Sequence, residues 1–367
     1  MSPTMPSAPD PHRAGAGGWG RRKQAIRPAP IKDRALREHA SILIARGLSY
    51  LVSITPTRLG YLLCDRIGDL LYWRSRTYRL NVIDNLRHVY GPDISELLLR
   101  RRARMVFRMS ARNFWDLLKA SRLEANAFRR RVRVESGSWQ TIEAVHAEGK
   151  GGIFLTAHLG AFDSIGHILY AHGYDPYVLS TPTVGKFIYA GVQWLRTRHN
   201  ARVEDISQGS IRRLLRALKS GQFIGLVGDR DFTNQGLTVS FFGSETTLPA
   251  GAVRIARDTG VPIIPIFAQR GEGSGGQRYR LHIGEPIVVA KTDDEDVDLQ
   301  QGIERVAAVL EAAISKMPEQ WVMFQRVWHD TPTRRWKRSP RLARRIAGRA
   351  HVSKPDEPRR QVTASDS

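Results

Sequence analysis

Residues 153–170, IFLTAHLGAFDSIGHILY, constrain the fold of this chain more than any other stretch. A short apolar run over 153–157 stops at His158, a glycine-containing turn follows, and Ile165, Ile168 and Leu169 then recur at helical spacing. That change of period reads as a buried strand, a tight turn and an amphipathic helix. His158 falls at the carboxyl end of the strand, where open α/β sheets place their ligand sites. Asp163 follows five residues later, about 140° around a regular helix at ~3.6 residues per turn. The two side chains therefore meet only if His158 lies in the turn before the helix. A histidine held by a carboxylate can act as general base on a hydroxyl or on water.

The same rhythm runs through the rest of the chain. Ser95 resembles an N-cap for a helix over 95–118, residues 132–139 form a short strand, and 141–147 a helix. Beyond the central stretch, strands are expected at 177–180, 223–227, 237–242, 261–269 and 278–283. Helices are expected at 186–198, 210–219, 250–259 and 299–317. Strands alternating with helices at this spacing predict an α/β fold with a central, mostly parallel sheet flanked by helices. With 41% hydrophobic residues in 367, the chain can bury a substantial core. The folded domain is expected over 39–330, its first part, 39–120, being helical. Residues 1–38 read as a disordered basic arm and 331–367 as a basic disordered tail.

Formal net charge is +22, which implies an anionic partner such as nucleic acid, an anionic membrane surface or an acidic substrate. Much of that charge sits in the terminal arms and N-terminal helices, with no recognisable nucleic-acid module, so no nucleic-acid partner is expected. The single cysteine, Cys64, expected in a surface helix, excludes an intramolecular disulfide and a cysteine metal cluster. No metal site and no cofactor are expected. The N-terminus lacks the features of a secretory leader. No apolar run reaches the ~20 residues of a spanning helix, residues 41–63 being broken by Arg46, Pro56 and Arg58. Residues 40–74 read as two helices separated at Thr55-Pro56, with Arg46, Arg58, Arg66, Arg74 and Arg76 interspersed. Two readings stay open: a helical pair covering the core, or an interfacial, membrane-associating hairpin.

The segment from His158 to Asp163 resembles the HX4D motif of glycerolipid-type acyltransferases. Further segments match one branch of them, the lipid A biosynthesis lauroyl/myristoyl acyltransferases and the related phosphatidylinositol mannoside acyltransferases. These are Arg79-Leu80-Asn81 with Asn85-Leu86, the run from Gly225 to Asp231, Gly236 with Val239 to Gly243, Gly251 with Arg254 to Pro265, and Pro318-Glu319-Gln320-Trp321 with Phe324 and Trp328. They occur in family order over roughly residues 40–330. The resemblance implies acyl transfer from acyl-CoA or acyl carrier protein to a glycolipid or lipid A-type acceptor at the cytoplasmic face of the bacterial inner membrane. It implies His158 as base with Asp163, or Asp229 or Asp231, as its acid, and an arginine between the motifs, Arg198 or Arg196. Gly160, Arg230, Phe241 and Phe242 complete the candidate substrate site: backbone N–H groups around Gly160 for the oxyanion, the two phenylalanines as core or as the wall of an acyl tunnel. With no nucleophile elbow in the sequence, direct transfer is expected. The competing readings are a lipid or thioester hydrolase using the same residues, and a non-enzymatic basic membrane-binding protein.

Overall fold

The computed structural model describes residues 31–180, 185–198, 202–231, 235–271 and 278–328. The chain opens with four helices, α1 (Ile31–Ile54), α2 (Thr57–Arg74), α3 (Arg76–Tyr90) and α4 (Glu96–Ala120), followed by the short α5 (Ala125–Arg129). Helix α1 begins inside the stretch expected to be an arm; the rest of that arm and the basic tail lie outside the described residues. Ser95 caps α4 as expected, its hydroxyl accepting from the Leu98 amide, one of the donors a helix start leaves unpaired. Next come β1 (Val132–Ser136), α6 (Trp139–Ala147), β2 (Gly152–Thr156), α7 (Ile165–Ala171), β3 (Tyr177–Ser180), α8 (Lys186–Arg196), β4 (Arg202–Asp205) and α9 (Gln208–Lys219). The last part holds β5 (Phe223–Val227), β6 (Leu237–Phe241), β7 (Ser244–Leu248), α10 (Gly251–Thr259), β8 (Ile263–Arg270), β9 (Tyr279–Ile283) and α11 (Glu295–Lys316).

Seven strands form one sheet in the order β1-β9-β8-β2-β5-β3-β4. From β8 to β4 every pairing is parallel; β9 runs antiparallel to β8, and β1 parallel to β9. β6 and β7 make a separate antiparallel hairpin. The sheet is buried on both faces, which is why its central strands read as apolar runs rather than alternating ones. Ile153 and Leu155 of β2 point into a core with α9, α10 and α11, whereas Phe154 points into one with α6 and α7. All eight residues of β8 are buried.

The N-terminal helices pack on the domain rather than forming its core. α2 lies along α4, and α1 lies on α8 and α4. Lys119 ties them down by donating to the Thr55 carbonyl and the Thr57 hydroxyl. Asp69 takes Arg104 and Arg108, and Asp65 takes Arg112. Cys64, expected at a surface, is buried against Val52 and Trp115, and that burial pushes its thiol up to about 11. Among the described residues no helix is long and apolar enough to cross a membrane.

Candidate active site

β2 and β5 are adjacent, parallel and in register, Thr156 pairing with Val227. The Gly228 amide extends the pairing by one residue, donating to the Thr156 carbonyl at 2.9 Å. His158 and Asp229 each stand two residues beyond the last pair, so the register places them side by side at the carboxyl edge of the sheet. The imidazole Nδ1 lies 2.8 Å from Asp229 Oδ1, and the His158 amide donates to Oδ2 at 2.9 Å. The indole Nε1 of Trp321 donates to the same Oδ2 at 2.8 Å. Asp229 is fully buried, and a carboxylate removed from water needs such donors.

Burial by itself would push the His158 imidazole down; the Asp229 carboxylate outweighs it and holds the ring above its ordinary range, with Asp163 adding through space. Burial likewise would push Asp229 up, but the His158 ring, the indole N–H and the His158 amide hold it below the usual carboxylate range. The geometry is that of a base and its orienter: Nδ1 is bound to the carboxylate, and the His158 side chain remains 23% exposed. The free ring nitrogen, Nε2, is therefore the atom available to a substrate.

The turn after β2 is built on Gly160, at φ +62. A Cβ there would stand 2.3 Å from the Ala268 carbonyl oxygen of β8. The Gly160 amide donates to the Gln320 carbonyl at 2.9 Å, and the Ala161 amide to the Ala268 carbonyl at 2.7 Å. Both are spent on structure, so the expectation that amides around Gly160 receive an oxyanion is corrected: they anchor the turn. The chain then makes a 3-10 turn over Phe162–Ser164 before α7. His158 does lie in the turn before the helix, yet Asp163 turns elsewhere. It takes Arg196 of α8, whose Nε and NH2 reach its Oδ1 at 2.9 and 2.7 Å.

The remaining candidates separate. Asp231 accepts from the Gly236 amide at 2.8 Å. Arg230 sits beside Asp229, half-buried, and burial pushes its guanidinium down against the pull of that carboxylate. Arg198 is exposed over the Trp194 ring, so Arg196 is the arginine that meets the motif aspartate. Phe241 is a core residue, its ring between Trp328 (centroids 5.7 Å apart) and Trp321 (6.4 Å). Phe242, at φ +48, and Gly243, at φ +72, form the two-residue hairpin turn between β6 and β7. Among the described residues no group of three or more His, Cys, Asp or Glu side chains is arranged to hold a metal ion. Sequence reasoning attached no role to Trp321. The only signal was its place in the run Pro318-Glu319-Gln320-Trp321.

The family model for bacterial lipid A biosynthesis acyltransferases matches residues 31–330. The chain belongs to that family. Among curated proteins it is similar to a phosphatidylinositol mannoside acyltransferase of Mycolicibacterium smegmatis, at 26% identity over 195 residues, 52% of this chain and 59% of that protein. Its match to a lipid A biosynthesis acyltransferase of Haemophilus influenzae is 24% identical over 278 residues, 74% of this chain and 82% of that protein. A phosphatidylinositol mannoside acyltransferase of Mycobacterium tuberculosis matches at 25% over 196 residues, 52% of this chain and 59% of that one. The chain thus matches about six tenths of the length of its mannoside acyltransferase relatives. In this acyltransferase family member the motif that prompts the resemblance contributes one residue, His158, to the buried pair, while its aspartate supports an arginine.

Proposed function

We propose that this protein transfers a fatty acyl chain from an acyl-CoA or acyl carrier protein thioester to a hydroxyl of a glycolipid or lipid A-type acceptor. The observation that carries this reading is the His158–Asp229 pair, buried on the acid side and open at Nε2, in a member of an acyltransferase family. His158 Nε2 takes the proton of the acceptor hydroxyl, and the oxygen attacks the thioester carbonyl. Collapse of the tetrahedral intermediate breaks the C–S bond, and the departing thiolate recovers the proton from the imidazolium. Asp229 fixes the ring and stabilises its cationic form, the logic of a base–orienter pair. Arg196, held by Asp163, and Arg230, beside Asp229, are the cations placed to meet anionic groups of donor or acceptor. The competing acid assignments, Asp163 and Asp231, are less well supported because each is engaged elsewhere.

The reading includes work at a membrane surface, on the cytoplasmic face of the inner membrane. Its support is that α1 and α2 are inside-out. α1 buries Ser41, Ala45, Ser49 and Val52 and exposes Leu43, Leu48 and Leu51. α2 buries Gly60, Cys64 and Gly68, four residues apart, and exposes Leu62, Leu70 and Trp73. Small residues inside and leucines outside is the pattern of helices packed in lipid, not in water. Arg46, Arg58, Arg66 and Arg74 are exposed among them, and Arg76 follows at the start of α3, where they can meet anionic headgroups.

The test uses purified protein, vesicles containing a candidate glycolipid, and radiolabelled acyl-CoA. Wild-type protein labels the lipid; His158→Ala loses at least the ~10²–10⁴-fold that general-base catalysis supplies while keeping fold and vesicle binding. Full transfer by that variant overturns the mechanism, and release of free fatty acid with every acceptor would favour a hydrolase.

A further inference from the structure

Residues 321–328 cross the carboxyl edge of the sheet without forming a helix or a strand. Backbone groups in such a segment still need partners, and α3 supplies them. Asn85, 1% exposed, donates through Nδ2 to the carbonyls of Met323 (3.1 Å) and Gln325 (2.7 Å) and accepts at Oδ1 from the Val327 amide (3.1 Å). Three of the four hydrogen-bonding positions of that amide are used on one strap, the donors fully. One turn earlier Asn81 donates to the Phe324 carbonyl at 2.9 Å. One turn later the His88 ring lies flat on Trp328, with centroids 4.1 Å apart. Asn81, Asn85 and His88 thus share one face of α3, at the i, i+4 and i, i+3 spacings that put side chains in line.

The strap in turn touches the site at two points. Its Val322 amide donates to the His158 carbonyl at 2.8 Å, and its Trp321 indole donates to Asp229. Both members of the pair are therefore held from a segment whose own path is held by α3. We infer that Asn85, assisted by Asn81, is a positioning residue for the His158–Asp229 pair, setting through residues 322–327 where the Trp321 indole and the Val322 amide meet it. This assigns a role to the asparagines of the Arg79-Leu80-Asn81 and Asn85-Leu86 segments, which reach the pair only through the strap. Its consequence for catalysis rests on the acyltransferase reading; its structural content does not.

The experiment is solvent exchange followed by NMR on the full-length protein. The probes are the Trp321 indole N–H and the His158 ring N–H, assigned with Trp321→Phe and His158→Ala. Asn85→Ala is expected to speed exchange at both probes at least about tenfold, the factor that about 1.4 kcal/mol of local opening produces. The backbone amides of β2 and β5 keep their protection. Asn81→Ala, which removes one hydrogen bond at a half-buried position, gives the same selective change in smaller degree and decides the matter if the Asn85 variant does not fold. Unchanged exchange at both probes, or a rise no greater than that of β2 and β5, overturns the proposal. Where transfer is measurable, kcat falls and KM for donor and acceptor stays; a fall in transfer that follows only the folded fraction also overturns it. If the wild-type protein transfers no acyl group, the exchange rates still decide the role of the strap, so the two readings fail separately.

Discussion

His158 and Asp229 are 71 residues apart in sequence and 2.8 Å apart in space, and one strand register joins them. The sequence puts each at the end of an apolar run, but register between two non-consecutive strands is a tertiary property. That is why Asp163, near in sequence, competes with Asp229, although Asp229 is the carboxylate the fold brings to His158. Replacing Asp229 with Asn keeps the shape and removes the charge that stabilises the imidazolium, so transfer should fall by about 10²–10⁴-fold. The pH profile adds a sign. In the proposed mechanism the base must be unprotonated, and His158 is held above the ordinary histidine value of ~6.5. The rate therefore rises with pH through a limb lying above that value. In Asp229→Asn, burial acts on the imidazole against only the through-space pull of Asp163, and the limb moves to lower pH. Asp163→Asn should move it the same way but less, since Asp163 acts only through space. A limb that shifts as far in the Asp163 variant as in the Asp229 variant would return Asp163 to the role of orienter. The raised value also contributes stability below about pH 6.5, and that contribution disappears as pH rises through the folded value.

At the scale of elements, what the sequence makes legible is what depends on local period. The apolar runs of β2, β5 and β8 and the amphipathic α9, α10 and α11 lie close to where periodicity places them, because two-sided burial makes each strand apolar throughout. β4 and β7 escape it. β4, Arg-Val-Glu-Asp, is an edge strand with both ends exposed, and β7, Ser-Glu-Thr-Thr-Leu, belongs to a hairpin apart from the sheet. The strap is illegible for a further reason: it has no period, and its order comes from Asn81 and Asn85 more than 230 residues before it. The turn after β2 is legible as a turn, but its closeness to β8 is not. Gly160→Ala tests that closeness. Its Cβ would stand 2.3 Å from the Ala268 carbonyl, on a backbone at positive φ. A cost of about 1–3 kcal/mol is expected, measured by urea unfolding. Gly260, at φ +74 in the left-handed helical region and with open space around it, is the control; Gly260→Ala should cost less.

At the scale of the molecule, two parts of the exterior differ in chemistry. The carboxyl edge of the sheet holds the polar pair, while α1 and α2 turn leucines and a tryptophan outward and keep glycine, serine and cysteine inside. The close packing this permits is specific. A Cβ on Gly60 would meet the Trp115 ring at 2.0 Å, and one on Gly68 the Arg108 backbone at 2.6 Å. Their leucines are largely exposed, so changing them tests the proposed membrane contact separately from stability. Leu51 and Leu62 are 56% and 57% exposed. Burying a leucine contributes roughly 1.5–3 kcal/mol, so Leu51→Asp with Leu62→Asp should weaken partitioning into anionic vesicles by at least about 100-fold. The unfolding midpoint should stay within the small range usual for surface substitutions. Removing Arg58 and Arg66 instead should weaken binding by about 1 kcal/mol each, and only at low ionic strength, because salt screens charges at a surface and leaves apolar burial intact. Vesicle sedimentation at low and high salt distinguishes the two contributions. If the double aspartate variant sediments with vesicles as the parent does, α1 and α2 do not form the membrane contact. If it loses vesicle binding but keeps transfer to a detergent-dispersed acceptor, the helices bring the enzyme to its lipid and the His158–Asp229 pair works independently of them.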